Sequence, residues 1–524
     1  MHPSPDITLG DLFHAAGCVW QPAAPGFERI SIRDVVEDSR EATPGALFLA
    51  RPGKKADGAS FIADARARGA AAVALPHGAA APRDFPAVFL HHPASEGPRL
   101  AEAFHRWPSR TLRLFGVTGT NGKTTTAFLV HQILAAVSIR AGLLSTVLID
   151  DGRDRRTARL TTPSAVEISR AFAAMRANGC TAAAMEVSSH ALDQGRVAAL
   201  RFDVAAFTNL SGDHLDYHGT LEHYADAKAR LFESLDARAL AIVNADDPAT
   251  DRMLRGCTAR VLRISLGGPG AGRADILATL TRSSLRGLHA TLGTPWGPLD
   301  LHAPLIGPHN LWNLTLALCA SIDLGVPLSD AVRAIASLAA PPGRLEPVSA
   351  PGPHPGFAVF VDYAHTDDAL TRVLAAVRPL VPPGGRLRVL FGCGGDRDRT
   401  KRPRMAAAAF AGADDVFLTS DNPRTEDPRV IIADALAGIP ASDHHRIHVD
   451  PDRESSIRAA ITACRPGDIL VIAGKGHETY QLLPDGRGGI VRRDFDDRAV
   501  AADALASRLQ RASAGKISPA HGEV

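Results

Sequence analysis

Short apolar runs alternate with longer stretches whose apolar positions fall three and four residues apart, and this alternation recurs along the chain. It is the pattern of parallel sheets covered by helices. Leu112 to Val117 reads as a buried strand, and Phe128, Leu129, Ile133 and Leu134 after it keep helical spacing. Gly45 to Ala50 and Ala70 to Leu75 read as strands around a helical stretch, Ile62 to Arg68, which makes a small α/β domain. Ala182 to Val187, Asp203 to Thr208 and Leu240 to Val243 continue the central sheet. Ser284 to Pro304 alternates apolar and polar positions and predicts a small antiparallel piece, and Leu311 to Leu324 predicts a helix. Phe357 to Val361, Leu387 to Phe391, Asp415 to Leu418 and Ile469 to Ile472 are further strands, alternating with helical stretches such as Asp368 to Val377 and Ile431 to Leu436.

The chain has 524 residues, too long for one core. Trp107-Pro108-Ser109 and Ala340-Pro341-Pro342-Gly343 read as linkers. They divide it into a small N-terminal α/β domain (1–108), a central P-loop NTPase-like parallel sheet (109–340) and a C-terminal Rossmann-like domain (341–511), with 512–524 as a disordered tail. Hydrophobic residues at 45% and charged residues at 22% are ordinary for a soluble protein, and the net charge of +2 gives no case for nucleic-acid binding. The basic runs Arg153 to Arg159 and Arg397 to Arg404 read as solvated faces or loops unless position decides otherwise. Six cysteines without C-x-x-C spacing suggest neither a zinc site nor a disulfide framework, but reduced thiols in a cytoplasmic protein. The N-terminus lacks a basic stretch followed by an apolar one, and no apolar stretch is long enough to span a bilayer.

The first candidate chemistry follows the strand at Leu112. Gly119, Thr120, Asn121, Gly122, Lys123, Thr124 and Thr125 make a glycine turn opening a helix, the form of a phosphate-binding loop. Lys123 would reach the β/γ-phosphates and the Thr124 hydroxyl would hold Mg²⁺. The spacing is a variant, because Val117 stands where the common pattern has glycine and Gly116 comes one residue early. A glycine turn without a ligand is the bland alternative.

Ligands of open parallel sheets bind beyond the carboxyl ends of the strands. Glu186 ends one strand, where a carboxylate can hold a metal ion beside a nucleotide or simply be solvated. His214 follows the next, as a metal ligand or a structural histidine. Lys228, on a helical segment, reads by default as a surface lysine. Asn310, Arg344 and Asp362 could be ordinary polar positions. Arg397, the run Asp421-Asn422-Pro423-Arg424 and the run Gly474 to Glu478 end strands of the third domain, and their mix of charges suits a zwitterionic ligand.

Taken together, GTNGKTTT, MEVSSH, TNLSGDHLDYHGT, the His309-Asn310 pair, PGRLE, VDYAHTDDAL, GCGGDRDRTKRP, DNPRTEDP and AGKGHETYQ resemble the Mur ligase family, in its order and over all three domains. The variant glycine spacing matches that family's own loop. The resemblance implies ATP-dependent amide-bond formation in peptidoglycan precursor synthesis: the D-Glu γ-carboxylate of UDP-MurNAc-L-Ala-D-Glu becomes an acyl phosphate, which an amine then displaces. It implies ATP and two Mg²⁺ ions as cofactors, with Lys123, Lys228 and His214 catalytic. Thr124 and Glu186 would ligate one Mg²⁺ and His214 the second, while Lys228 matches the lysine that the family carbamylates with CO₂. Asn310, Arg344 and Asp362 would contact ATP. Ser39, Lys54, Lys55 and Ala56 match the UDP-end stretch of the N-terminal domain, and Thr161, Thr162, Ser188, Gln194 and Arg196 match the positions that hold the muramoyl peptide.

DNPR is the form found in diaminopimelate-adding members. Arg424 would pair with the distal carboxylate that meso-diaminopimelate has and lysine lacks, with Arg397, Asp421, Asn422, Pro423, Gly474 and Glu478 as the other contacts. Two departures stand out. Asp367 replaces a common proline, an exchange expected to loosen the start of the following helix, and Ser211-Gly212 lacks the longer polar residue usual at its second position. A monomer is expected, without nucleic acid or membrane as partner. The competing readings are a lysine-adding homologue, a folylpolyglutamate synthetase-like ligase, and a P-loop switch ATPase that forms no bond.

Overall fold

The strand Arg113–Thr118 lies inside the largest sheet with a parallel neighbour on either side, Ala182–Glu186 and Val204–Phe207. This computed structural model describes residues 6–53, 57–351 and 355–514, with backbone alone for 511–514. The expected UDP-end residues Lys54, Lys55 and Ala56, and residues 515–524 of the expected tail, lie outside the described residues. The chain folds as two compact units, the first built mainly from residues up to Thr279 and from Trp312–Ala336, the second mainly from Ser337 onward.

The first unit contains two sheets. In the smaller, Asp34–Val36, Ala46–Leu49, Ala72–Pro76 and Ala87–Leu90 are parallel, and Trp20–Pro22 closes one edge antiparallel. In the larger, the order is Arg155–Thr157, Leu148–Asp150, Ala141–Leu144, Ala182–Glu186, Arg113–Thr118, Val204–Phe207, Leu240–Asn244, Arg260–Ser265, and onward to Ile276–Ser284. Its central strands are apolar on both faces because helices cover both, and Phe115, Phe172 and Phe207 are fully buried. Register positions the chemistry: Glu186 pairs with Val117 and Phe207 with Thr118. Glu186 and Thr208 therefore reach the same sheet edge as the loop after Thr118. The basic run after Arg153 became the exposed edge strand Arg155–Thr157, whose charges discourage pairing with another chain.

The alternating segment forms two strands, Gly287–Thr294 and Gly297–Ala303, with Leu288, Ala290 and Leu292 buried and His289, Thr291 and Gly293 exposed. Ser39–Glu41 is a 3₁₀ turn, with the Asp38 carboxylate accepting from Arg40 N at 2.9 Å.

In the second unit, Ala358–Asp362, Ile469–Ala473, Leu387–Cys393, Asp415–Ser420 and Ile447–Val449 form a parallel sheet in that order, with Glu346–Pro347 antiparallel at one edge. The registers Asp362 with Ala473 and Cys393 with Ser420 bring Gly474, Gly394 and Asp421 to one edge. The helix Asp367–Val377 is not loosened by Asp367. Thr366 caps it, accepting from Ala369 N at 3.2 Å, and two aspartates in the first turn favour the helix dipole.

One buried arginine departs from the expectation of solvated basic faces. Arg402, in the second basic run, is wholly enclosed and pairs with Glu426 and Asp434, each at 2.8 Å. Arg453 and Asp497, both without solvent exposure, pair through two contacts of 2.7 Å. Arg453 also donates to the carbonyls of Ser420 (3.2 Å) and Ala473 (2.9 Å), tying two strand ends together. Asp497→Ala, which strands the guanidinium, is expected to cost about 3–5 kcal/mol of stability, read by urea unfolding. A loss below about 1 kcal/mol would mean that water or another acceptor replaces the carboxylate.

Candidate active site

The helix Lys123–Ala136 starts directly after the central strand, and no side chain caps its N-terminus. Its first backbone N–H groups are the donors a phosphate needs. Two glycines are required here. At Gly119 (φ +148°) a Cβ would lie 1.9 Å from Thr208 Oγ1, and at Gly122 (φ +88°) it would lie 2.4 Å from Asn313 Oδ1. The loop is fixed by the segment after the neighbouring strand: Thr120 N donates to Asn209 O at 2.8 Å, Asn121 N to Asn209 Oδ1 at 3.1 Å, and Thr208 Oγ1 to Asn121 O at 2.6 Å.

Lys123 folds back on this loop, donating to Gly119 O at 2.8 Å and Thr120 O at 2.9 Å. Lys228 Nζ donates to the same Gly119 O at 2.8 Å. Lys228 is therefore not a surface residue: it is 1% exposed, held by the helix Leu221–Glu233, with the Tyr224 ring 4.4 Å from its Nζ. Burial, and then the positive charge of Lys123, push its pKa well below that of an ordinary lysine. Sequence gave no signal of this, because helical spacing does not reveal which face a lone lysine occupies.

Glu186, 1% exposed, accepts from Thr124 Oγ1 at 3.0 Å, from Thr146 N at 2.7 Å and from Thr146 Oγ1 at 3.2 Å. Thr146 was not expected at the site; it follows a strand that sequence reading missed, Ala141–Leu144. The hydroxyl and carboxylate are hard oxygen donors of the kind Mg²⁺ takes. His214 sits in the left-handed region at φ 54°, with its ring 4.9 Å from that of His190 and 6.2 Å from that of Tyr224. Burial lowers the His214 pKa, which favours the neutral ring that can act as a ligand. Among the described residues no three His, Cys, Asp or Glu side chains converge as a ready metal site. A metal here would rely on the Thr124–Glu186 pair, with phosphate oxygens or a modified side chain completing its shell.

The expected peptide-binding residues form one hydrogen-bonded network around Glu186. Thr161 Oγ1 meets Thr146 Oγ1 at 3.1 Å, and Thr162 Oγ1 donates to Glu186 O at 2.8 Å. Ser188 N donates to Thr162 Oγ1 at 3.0 Å, and Arg196 donates to Thr162 O at 2.7 Å and to Gln194 Oε1 at 2.6 Å. Gln194 O accepts from Arg51 at 2.5 Å, a link between the two sheets of this unit. Ser39 is buried in its 3₁₀ turn.

The second unit holds the remaining candidates. Asn310 Nδ2 donates to Ile306 O at 2.7 Å. Asp362 accepts from Leu345 N and Ala364 N, both at 2.8 Å, and burial raises its pKa. The Arg344 guanidinium lies over the Tyr363 ring at 4.8 Å. At the other strand ends, Asn422 Nδ2 donates to Glu478 Oε2 at 2.9 Å. Arg424 takes φ 55° and donates through Nη1 to Gly395 O at 2.7 Å, while its own N–H bonds Leu482 O at 2.9 Å. A non-glycine residue in this region costs of order ~1–3 kcal/mol and points to a functional constraint. Pro423 is buried between these groups, and Arg397 is exposed on the loop after Leu387–Cys393.

Three stretches match family patterns: 31–93 to "Mur ligase family, catalytic domain", 117–321 to "Mur ligase middle domain" and 343–476 to "Mur ligase, glutamate ligase domain". Proteins named UDP-N-acetylmuramoyl-L-alanyl-D-glutamate–2,6-diaminopimelate ligase are similar over most of the chain. The one from Synechococcus elongatus is 44% identical over 91% of this chain and 95% of its own, and the one from Pseudomonas aeruginosa is 44% identical over 92% and 97%. The chain belongs to the Mur ligase family. A solved structure of a 2,6-diaminopimelate ligase of that name matches this Mur ligase with a TM-score of 0.66 at 34% identity, covering 96% of this chain and all of that one. A MurF ligase from Thermotoga maritima, solved with ADP, shares the fold at 17% identity and a TM-score of 0.59 over 92% and 98%. Among the described residues of this Mur ligase, no helix is long and apolar enough to cross a membrane.

Proposed function

We propose that the chain is an ATP-dependent ligase that joins meso-2,6-diaminopimelate to the D-Glu γ-carboxylate of UDP-MurNAc-L-Ala-D-Glu, acting as a cytoplasmic monomer. The observation that carries the reading is the cluster at the end of Arg113–Thr118. There an uncapped helix, Lys123, the Thr124–Glu186 pair and buried Lys228 meet at one glycine loop. The diaminopimelate ligases at 40–44% identity support the same reading.

The γ-carboxylate takes the γ-phosphoryl group of ATP and ADP leaves. The amine nitrogen then bonds the acyl carbon, the C–O bond to phosphate breaks, and the nitrogen loses a proton. Two anions must approach in the first step, so cations decide its rate. Lys123 exchanges its two loop carbonyls for phosphate oxygens, and the N–H groups of its helix face the same charge. Thr124, Glu186 and His214 are the residues that would hold Mg²⁺, which when bound neutralises phosphate charge. Lys228, a buried amine whose pKa is held well below that of an ordinary lysine, suits reaction with CO₂ in its deprotonated form: a C–N bond forms, a proton leaves, and a carbamate anion stands where the donor set is short of one. Thr161, Thr162, Ser188, Gln194 and Arg196 hold the muramoyl peptide, and Ser39, with Lys54, Lys55 and Ala56, holds the UDP end. Asn310, Arg344 and Asp362 contact ATP, and Arg424 reads the distal carboxylate of the amine.

The test is phosphate release with UDP-MurNAc-L-Ala-D-Glu, with and without meso-diaminopimelate. Turnover is expected only when both are present with ATP. Equal turnover without the amine would leave a P-loop ATPase that forms no bond.

A further inference from the structure

Lys475 is a wholly enclosed cation near the proposed amine site. It has no solvent exposure, yet it follows the strand Ile469–Ala473 by two residues. Its Nζ donates to Asn422 Oδ1 at 3.1 Å and to Glu478 Oε2 at 3.0 Å, and lies 3.5 Å from Asp421 Oδ1, which takes no hydrogen bond. Asn422 is locked by this arrangement, since Oδ1 also accepts from Leu482 N at 3.0 Å while Nδ2 binds Glu478 at 2.9 Å. Glu478 Oε2 thus receives two donors from inside the protein. Its side chain keeps 19% exposure, which leaves the carboxylate partly open to a ligand.

The charges can be counted. Asp421 and Glu478 are two carboxylates facing one buried ammonium, so this cluster carries one negative charge in excess. Arg453 beside it does not change the count, being neutralised by Asp497. Arg424 adds one cation at the neighbouring strand end. These four side chains together are neutral, with one unsatisfied negative and one positive pole, the complement of an amino-acid end bearing both ammonium and carboxylate; Arg397, exposed on its loop, stands outside the count.

We infer that Lys475 is a specificity-determining positioning residue: its buried ammonium cancels one of two carboxylates, so that the site takes a zwitterionic amine end and discriminates against a bare cation. The assignment rests on the proposed ligase reading. Without Lys475 the cluster would hold two uncompensated carboxylates, an attractive place for the side-chain ammonium of L-lysine, and Asn422 and Glu478 would lose their common anchor. Leaving charges unpaired against the wrong ligand is how a polar site rejects it.

The experiment compares kcat/KM for meso-diaminopimelate, L-lysine and L-2-aminopimelate, which keeps the distal carboxylate but lacks its ammonium. In Lys475→Met, the preference for meso-diaminopimelate over L-lysine is expected to fall by about tenfold or more, the effect of about 1.4 kcal/mol. Adding Asp421→Asn to Lys475→Met restores the charge balance and should return the preference toward the parent's. Asp421→Asn alone, nearly isosteric, should raise the use of L-2-aminopimelate relative to meso-diaminopimelate. If Lys475→Met lowers all amines together and the double variant restores nothing, Lys475 only fills space and the assignment is overturned. Should Lys475→Met fail to fold, an unchanged aminopimelate ratio in Asp421→Asn overturns it equally. A parent that turns over no meso-diaminopimelate defeats the proposed function itself, an outcome distinct from a parent that does so while these ratios stay fixed.

Discussion

Lys228→Ala is expected to reduce ligase activity by about 10²–10³-fold or more, the cost of removing one charge-stabilising group from a phosphoryl-transfer site. Acetate or formate should restore part of it, by supplying the missing carboxylate in the space left by the side chain. The fold should survive, because a fully buried amine on one carbonyl is a poor source of stability. Parent protein depleted of CO₂ should lose activity and regain it with bicarbonate. The sign with pH follows from the depressed pKa of Lys228. Only the neutral amine reacts with CO₂, so reactivation should rise as pH rises through the folded-state value. Between that value and the ordinary lysine value, the folded protein binds fewer protons here than the unfolded chain. The contribution of this group to stability therefore increases with pH across that window. A Lys228→Ala enzyme as active as the parent would reduce the residue to a packing role.

Arg424→Ala should lower kcat/KM for meso-diaminopimelate by about two to four orders of magnitude, the cost of leaving a bound carboxylate without its charged partner. The use of L-lysine, which has no distal carboxylate, should change little, so the preference collapses as well as the rate. Arg424→Lys should recover only part, since an ammonium cannot reproduce the planar two-point contact. The strained backbone at Arg424 and its bond to Gly395 O fix where the guanidinium stands. Equal losses for both amines would place the carboxylate elsewhere.

The loop at Gly119 to Thr125 was legible from residues alone, because a glycine turn between a buried strand and a helix is a local pattern, whereas the crowding by Thr208 and Asn313 that excludes a Cβ there is tertiary. The network of Thr161, Thr162, Ser188, Gln194 and Arg196 was marked only by resemblance to a family. No spacing rule links these positions, and it is strand register that gathers them beside Glu186. Thr146 escaped notice altogether: it follows the short strand Ala141–Leu144, whose AGLL sequence is too brief for a periodic signal.

The residue types and order of apolar runs determine two kinds of sheet-and-helix construction, a phosphate loop and a set of polar strand ends, since each depends on neighbours close in sequence. What tertiary structure decided is burial and partnership. Lys228 looks like any solvated lysine in the sequence, and the run Gly474 to Glu478 does not show that its lysine is buried; yet Lys228 is enclosed against Gly119 O and Lys475 among Asp421, Asn422 and Glu478. Arg402 sits in a basic run and is buried with Glu426 and Asp434. The charge of a side chain is written in the sequence. Whether water or a carboxylate answers that charge depends on strands brought together from distant parts of the chain, and that pairing sets both the pKa and the chemistry.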